Sequence, residues 1–264
     1  MSKHIKENRH SGLKGIYILP NLFTSASLFG GFYAIIASIQ GRFEAAAIAI
    51  ILSAVCDSLD GRVARFTGTT SDFGTEYDSL SDLVAFGVAP AALSYLWALK
   101  PFGRLGWLAA FMFVICGALR LARFNVEKTK IKSIFFKGLP IPSAACFIAS
   151  LILFTSHFDG FAERRDVVII VMIYGLSFLM VSSLNYPSFK EFHIKHRKPF
   201  NVLVASILIL LLVAYKPKIL LFLILFIYVC SGPVITIVRH YRKQNILALQ
   251  GLPEENNENK TVKN

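Results

Sequence analysis

Residues 57–82 read DSLDGRVARFTGTTSDFGTEYDSLSD. This stretch joins two long apolar blocks and places acidic residues at their neighbouring ends, namely Asp57, Asp60, Asp78 and Asp82. Ionisable side chains at membrane depth are costly to bury and are by default functional. The stretch therefore indicates a membrane protein and marks the region where its chemistry is concentrated.

Outward from this stretch, the chain is dominated by apolar blocks. Hydrophobic residues make up 55% of the 264 residues, and they gather in long runs instead of following the period of an amphipathic helix or strand. A helix that crosses a bilayer needs about 20 mostly apolar residues. The sequence thus predicts an all-α, polytopic membrane bundle of about eight transmembrane helices, at 16–38, 43–65, 74–99, 104–124, 139–157, 166–185, 199–215 and 217–238.

The charge distribution predicts the orientation of this bundle. The formal net charge is +12, but the basic residues lie between the apolar blocks and not on one soluble face, which argues against nucleic acid as a partner. With the N-terminus inside, 21 of the 28 Lys and Arg residues fall on the cytoplasmic side, as the positive-inside rule requires. We therefore expect a multi-pass protein of the cytoplasmic membrane, with both termini and the acidic stretch facing the cytoplasm.

The sequence predicts one membrane-embedded domain over residues 1–245. Its first 15 residues are basic with scattered apolar positions, which suits either a helix on an anionic cytoplasmic surface or a solvated terminus. Residues 246–264 are polar and have no apolar pattern, so we expect a disordered tail there.

Helical spacing brings the acidic residues together. On an α-helix, one narrow face carries Asp57, Asp60, Gly61 and Ala64, and steps of four make a second stripe of Gly74, Asp78 and Asp82. Four carboxylates on two facing helices would repel one another unless cations lay between them. Oxygen ligands of this kind favour Mg²⁺ or Mn²⁺, and four carboxylates could hold two ions that bridge a diphosphate.

The small residues beside the acids have two readings. Side chains with little bulk at Gly61, Ala64 and Gly74 let a nucleotide approach the helix backbone, and Arg65 can pair with a phosphate. Alternatively, these small residues only allow close helix packing, and the carboxylates are solvated loop residues. Asn21, next to Pro20, either caps the first helix or contacts the nucleotide or a phosphate.

The full pattern is D-x-x-D-G-x-x-A-R, eight residues, then G-x-x-x-D-x-x-x-D. It resembles the signature of the CDP-alcohol phosphatidyltransferase family at every fixed position. The resemblance implies a helical membrane enzyme, usually a homodimer, with a binuclear metal site that moves a substituted phosphoryl group from a CDP-linked donor to an alcohol and releases CMP. It also implies roles for the matching residues: Asp57, Asp60 and Asp78 as metal ligands, Asp82 as metal ligand and general base, and Asp60, Gly61, Ala64, Arg65 and Gly74 in the CDP site. Asn21 joins that site if it contacts the nucleotide instead of capping its helix.

Other segments indicate the acceptor alcohol. Residues 117–125 (GALRLARFN) and 136–145 (FKGLPIPSAA) look like the phosphatidylserine synthase branch of that family, as do 19–24 (LPNLFT) and 185–190 (NYPSFK). The resemblance implies CDP-diacylglycerol as donor and L-serine as acceptor, in a membrane lipid environment.

Serine brings a carboxylate and an ammonium group, so its pocket needs a cation. Arg120, Arg123 or Lys137 could supply the cation, and Asn125 could orient either group. The plainer reading of these basic residues is anchoring at the cytoplasmic surface or contact with lipid headgroups. Two other functions stay open at this point: the same chemistry with glycerol 3-phosphate or inositol phosphate as acceptor, and a cation transporter with a buried Asp cluster.

Overall fold

The computed structural model describes residues 18–67, 71–128, 136–156, 166–186 and 216–249. Within these ranges the chain is helical except for two short strands. The α-helices and strands are, in chain order, α1 (Ile18–Ile39), α2 (Phe43–Thr67), α3 (Asp72–Asp82), α4 (Ala89–Ser94), α5 (Arg104–Lys128), β1 (Phe136–Lys137), α6 (Ile141–Thr155), α7 (Asp166–Val181), β2 (Asn185–Tyr186) and α8 (Pro217–Leu249). The predictions for the segment 1–15, for the block 199–215 and for the tail from 250 onward lie outside the described residues.

Apolar helices of membrane length are present in the described part of the chain. Four helical stretches there are long and apolar enough to cross a bilayer: Asn21–Ile39, Asp72–Phe102, Arg104–Val126 and Pro217–Thr236. The apolar helices Ile141–Thr155 and Val167–Val181 are shorter, and α2 has 25 residues but carries several acids. These findings confirm a helical protein with membrane-type helices, whereas the total of about eight spans stays a prediction.

The first two helices form a hairpin. α1 and α2 pack against each other along their length, and Gly41 in the turn between them adopts a φ of 74°, in the left-handed region that glycine favours. The interface is lined by small buried residues such as Ala34, Ala37, Ala46 and Ala47. The hairpin therefore places the beginning of α1 beside the acidic end of α2.

The third span, Asp72–Phe102, changes its winding along its length. It begins as the regular helix α3, continues as a π-helical stretch Leu83–Val88, and contains a second one, Tyr95–Leu99, after α4. Pro90, in the first turn of α4, lacks a backbone N–H, and the first π-helical stretch ends just before it. The acidic stripe lies wholly within the regular turns of α3, which preserve its spacing of four.

α1 crosses the third span at very short range. A Cβ atom added at Gly31 would lie 2.5 Å from the Cα of Ala85 and 2.9 Å from its Cβ. Any side chain at position 31 would thus push the two backbones apart. The contact fixes α1 against the span that carries Asp78 and Asp82.

α6 lies at the centre of the described bundle, in contact with α2, α5, α7, α8 and the third span. Its buried residues recur at helical spacing on one broad face: Ile141, Ala144, Ala145, Ile148, Ala149 and Ile152. A helix with so much buried apolar surface holds the longer helices around it in a fixed arrangement.

The two strands pair with each other, and the sequence did not predict them. β1 and β2 are antiparallel, with Phe136 opposite Tyr186 and Lys137 opposite Asn185. The sixth apolar block was expected to be helical to 185, but α7 ends at Val181 because the residues after it turn back to pair with β1. Gly138, with a φ of 80°, then leads into α6 and donates its N–H to the Leu184 carbonyl at 2.8 Å.

α8 is longer than the predicted last span, which ended at 238. It continues to Leu249, past position 246 where the tail was expected to begin. At its start, the Lys218 Nζ lies 2.9 Å from the Glu44 Oε2 at the start of α2. This exposed ion pair joins the ends of α2 and α8 that lie away from the acidic stretch.

Candidate active site

Three of the predicted aspartates converge. α2 supplies Asp57 and Asp60, α3 supplies Asp78, and one carboxylate oxygen from each lies within 4.8 Å of the other two. α2 is continuous through this region, so the helical spacing read from the sequence is the spacing found. The two stripes of acidic residues therefore face each other, as predicted.

Asp82 lies beside this cluster, one helical turn beyond Asp78. Its carboxyl group is within hydrogen-bonding range of the Asp57 carboxyl group. Its Oδ1 atom is buried and has no hydrogen-bond partner among the residues that the structure describes. A buried carboxylate oxygen without a donor is costly, so this atom is suited to receive a ligand, a proton or a cation.

Hydroxyl groups from α1 and α3 form a chain of hydrogen bonds that ends on Asp60. The Thr24 hydroxyl donates to Asp60 Oδ2 at 2.8 Å, and the Ser81 hydroxyl donates to the Thr24 carbonyl at 3.1 Å. Thr24 is buried, and no role had been predicted for it. A signal was present, because Asn21, Thr24 and Ser25 recur at spacings of three and four on an otherwise apolar helix.

The predicted CDP residues occupy two kinds of surroundings. Gly61 is exposed, and a Cβ atom placed on it would meet no atom of the described residues within 4 Å. At Gly74, a Cβ atom would lie 3.1 Å from the Ser71 Oγ and 3.6 Å from the Asn21 Oδ1. Gly61 thus borders open space, whereas Gly74 lets the N-cap serine and Asn21 approach α3.

The other predicted CDP residues are placed by their helices. Asn21 lies inside the first turn of α1, which begins at Ile18, so the alternative that it caps this helix is wrong. Ala64 and Arg65 belong to the continuous α2, and their side chains lie outside the described part. The helical register nevertheless places Ala64 on the same face as Asp57 and Asp60.

Arg120 is the predicted serine residue for which an electrostatic interaction with the acids is found. Although cationic, it is only 9% exposed, and its guanidinium carbon lies 5.4 Å from the centre of the Phe124 ring. Asp82 is the acidic group whose charge acts on it most strongly. A guanidinium buried next to an acidic cluster is not a surface anchor, which disfavours the plainer reading for this residue.

The remaining predicted serine residues are placed differently. The Asn125 amide donates to the Ser79 hydroxyl at 2.9 Å, which ties α5 to α3 between Asp78 and Asp82. Arg123 is half-buried. Lys137 lies in β1, where its backbone pairs with Asn185, and its side chain is outside the described part.

The sequence missed two residues beside Arg120. The Tyr228 hydroxyl, from α8, shares a hydrogen bond with Ser143 at the start of α6, and it lies within electrostatic range of Arg120. Ser143 belongs to the segment 136–145, whose resemblance to the family indicated no role for this residue. Tyr228 is distant from every sequence motif, so only the fold could bring it here.

The geometry fits divalent metal. Three carboxylate oxygens lie within ligand-sharing distance, and a fourth acid presents a buried oxygen without a donor. All of these atoms are hard oxygen donors of the type that Mg²⁺ and Mn²⁺ prefer. Carboxylates from Asp57, Asp60 and Asp78 could therefore hold a cation that would offset their mutual repulsion.

Comparison with known proteins agrees with this site. The model of one protein family, described as CDP-alcohol phosphatidyltransferase, matches residues 17–183, a range that includes α1 through α7 and all four aspartates. The chain belongs to the CDP-alcohol phosphatidyltransferase family. CDP-alcohol phosphatidyltransferases depend in general on divalent metal, and the Asp cluster is where this chain fits it. The family and the four apolar helices together indicate an integral membrane protein.

Individual relatives in this family are named for their serine chemistry. The chain is 41% identical over 176 residues to a CDP-diacylglycerol–serine O-phosphatidyltransferase of Helicobacter pylori, covering 67% of this chain and 74% of that one. It is 35% identical over 173 residues to the enzyme of the same name from Bacillus subtilis, covering 66% and 92%. It is 42% identical over 171 residues to an archaetidylserine synthase of Methanothermobacter thermautotrophicus, covering 64% and 69%.

Proposed function

We propose that this protein transfers the phosphatidyl group from CDP-diacylglycerol to the hydroxyl of L-serine and releases CMP. The observation that carries the proposal is the buried Arg120 beside the family's acidic cluster, because a cation there can receive the carboxylate of serine. The names of the relatives support the same donor and acceptor.

In the proposed reaction, the serine oxygen bonds to the phosphorus that carries diacylglycerol. The bond between that phosphorus and the bridging oxygen of the diphosphate breaks, and CMP leaves with the bonding electrons. The serine hydroxyl proton passes to Asp82. The buried Asp82 Oδ1, which has no donor in the described part of the chain, is the atom suited to accept that proton.

The acids are proposed to hold two divalent ions, Mg²⁺ or Mn²⁺, with Asp57, Asp60 and Asp78 as ligands and Asp82 reaching one ion. Ions bound there would neutralise the diphosphate and stabilise the departing CMP. Thr24 orients the Asp60 carboxylate through its 2.8 Å hydrogen bond, and Ser81 fixes Thr24 in turn. Such support keeps metal ligands in one orientation.

The CDP moiety is proposed to bind along the other residues of the signature: Asp60, Gly61, Ala64, Arg65, Gly74 and Asn21. The open space above Gly61 allows the nucleotide to contact the backbone of α2. Asn21 lies beside Gly74, so α1 can contribute an amide to the same pocket.

The serine subsite is proposed to lie on the Asp82 side of the cluster. Arg120 would bind the serine carboxylate, and the Phe124 ring restricts the motion of its guanidinium group. Tyr228 and Ser143 would border the same space. Arg123, Asn125 and Lys137 stay as predicted members of this subsite, although the Asn125 amide is engaged with Ser79.

The same proposal includes the membrane setting. We infer about eight spans in the cytoplasmic membrane, cytoplasmic termini and a site that opens to the cytoplasm, because the basic residues are distributed as the positive-inside rule requires. CDP-diacylglycerol would reach the site from the inner leaflet. The family resemblance supports a homodimer.

A direct test offers the purified protein CDP-diacylglycerol and Mn²⁺ with one labelled acceptor at a time: serine, glycerol 3-phosphate or inositol phosphate. We expect labelled lipid and stoichiometric CMP only with serine. Lipid formed with a phosphorylated acceptor but not with serine would overturn the assignment of the acceptor. Cation flux in liposomes without any CMP release would overturn the assignment as an enzyme.

The role of Arg120 can be tested separately. Arg120→Gln removes a charge-assisted hydrogen bond, so the KM for serine is expected to rise about 10- to 100-fold, with the KM for CDP-diacylglycerol nearly unchanged. Arg104→Gln, at the exposed beginning of α5, is the control and should leave the KM for serine nearly unchanged. Equal effects of the two substitutions on serine KM would contradict the proposed subsite.

A further inference from the structure

α8 has a break in its backbone hydrogen bonding. Pro233 lies inside this helix and has no N–H to donate to the carbonyl four residues earlier, which is that of Val229. The Tyr186 hydroxyl, from β2, donates to this same Val229 carbonyl at 3.2 Å. A side chain outside the helix thus replaces the donor that the proline removes.

Tyr186 is held tightly in this position. The residue is fully buried, and its ring packs directly on Gly232, where even a Cβ atom would overlap the ring. Burial of the phenol raises the pKa of Tyr186, so its hydroxyl stays protonated and able to donate. The three residues are therefore complementary. Pro233 lacks a backbone donor, and the Tyr186 hydroxyl supplies one; Gly232 lacks a side chain, and the Tyr186 ring fills that space.

Through this contact, the strand pair β1–β2 and the beginning of α6 are connected to α8. β2 pairs with β1, and β1 leads through Gly138 and Leu139 into α6. The Gly138 N–H donates to the Leu184 carbonyl and the Leu139 N–H to the Leu179 carbonyl. The strand pair and these hydrogen bonds thus link Tyr186 to the first turn of α6, which carries Ser143.

Tyr228 precedes Val229 on α8 and lies beside Tyr186, with 5.8 Å between the ring centres. Its hydroxyl shares a hydrogen bond with Ser143 and lies within electrostatic range of Arg120. A shift or rotation of α8 would move this hydroxyl away from both groups. The match to the family model ends at 183, so Tyr186 and all of α8 lie outside the range that it covers.

We propose that Tyr186 is a positioning residue for the serine subsite: its hydroxyl replaces the donor missing at Pro233 and fixes Tyr228 between Ser143 and Arg120. The inference rests on the proposed serine subsite and adds the device that sets its geometry. Tyr186 touches no reacting atom and acts through α8.

The test is a double-mutant cycle of Tyr186→Phe, Pro233→Ala and the double variant in the full-length protein. Tyr186→Phe keeps the ring and removes one hydrogen bond, so the KM for serine should rise about three- to tenfold while the KM for CDP-diacylglycerol changes less than about twofold. Pro233→Ala restores a backbone donor for Val229. In that background Tyr186→Phe should change the serine KM by less than about twofold.

The matched control is Tyr174→Phe on α7, a partly exposed tyrosine, which should leave both KM values unchanged. The proposal is overturned if Tyr186→Phe has the same effect in both backgrounds, or raises the two KM values equally. If Tyr186→Phe alone does not fold, the double variant is compared with Pro233→Ala, and a difference above about twofold in serine KM overturns the proposal.

A second cycle checks the route through Tyr228. Tyr228→Phe should itself raise the serine KM, and adding Tyr186→Phe to it should give no further increase; additive effects would contradict the proposal. The wild-type assay separates this outcome from failure of the proposed function. Wild-type protein that makes no lipid from serine refutes the function, whereas active wild type with an uncoupled cycle refutes only the role of Tyr186.

Discussion

At the scale of single residues, Asp82 differs from the other three acids in its surroundings. Asp57, Asp60 and Asp78 bring oxygens together within 4.8 Å, and Asp60 is further bonded to Thr24. What sets Asp82 apart is the Arg120 guanidinium, since Asp82 is the acid whose charge acts on it most strongly. The same residue type therefore serves two proposed tasks, and the difference comes from neighbours on α1 and α5.

We expect Asp82→Asn to lower kcat by about 10²- to 10⁴-fold, because an amide cannot accept the serine proton. Mn²⁺ binding, followed by the electron paramagnetic resonance of the free ion, should be largely retained because the converging oxygens of Asp57, Asp60 and Asp78 remain. Asp78→Asn is the control that should weaken Mn²⁺ binding as well as turnover. Near-normal turnover of Asp82→Asn with metal bound would refute the base role.

A substitution at Gly61 can distinguish an effect on nucleotide binding from an effect on stability. Because no atom of the described residues lies within 4 Å of an added Cβ atom, Gly61→Ala creates no clash with them, and alanine in a helix is favoured over glycine by about 1 kcal/mol. The melting temperature should stay level or rise, while the KM for CDP-diacylglycerol should increase about tenfold through lost contact with the nucleotide.

Gly175→Ala on α7 also places a methyl group in open space and is the control for activity. It should change neither substrate's KM. If Gly61→Ala behaves like Gly175→Ala, the proposed contact between the nucleotide and α2 at Gly61 is refuted.

At the scale of elements, the third span shows what could be predicted and what could not. The stripe of Gly74, Asp78 and Asp82 could be predicted because residues four apart lie on nearly the same face of a regular α-helix, and α3 is regular to Asp82. The π-helical turns after it depend on packing against α1 and α5, which no local pattern records. The two-residue strands could not be predicted either, because each strand forms only by pairing with a segment about 50 residues away.

The crossing of α1 and the third span gives a prediction about stability. Gly31→Ala places a methyl group 2.5 Å from the Cα of Ala85, so the helices must separate, which should cost about 1–3 kcal/mol. The protein should melt at a lower temperature in detergent, and turnover should fall because α1 also positions Thr24. Gly175→Ala is the matched control, and an unchanged melting temperature for Gly31→Ala would contradict the close contact.

At the scale of the whole molecule, the acidic cluster and the Lys218–Glu44 ion pair lie toward opposite ends of α2. Glu44 and Asp57 are 13 residues apart on one continuous helix, which corresponds to about 20 Å along its axis. The sequence predicted this polarity from its basic residues. It could not predict Tyr228 or Tyr186, because their roles arise from contacts between segments that are remote in sequence.

This polarity can be measured by thiol labelling. In a variant whose four native cysteines are replaced, Phe66→Cys, at a highly exposed position near the acidic end of α2, should react with an impermeant maleimide only from the cytoplasmic side of vesicles. Glu44→Cys should react only from the opposite side. Labelling of both positions from the same side would contradict the proposed orientation.

The short crossing at Gly31 also restricts how a lipid can approach. Where α1 and the third span touch backbone to backbone, no gap is wide enough for a hydrocarbon chain. Gly31 is ten residues beyond Asn21 on α1, so this closed seam lies about 15 Å further along α1 than the proposed nucleotide pocket. The fatty acyl tails of a donor bound there would have to extend along another side of the bundle, and the proposed lipid product would leave from that same side.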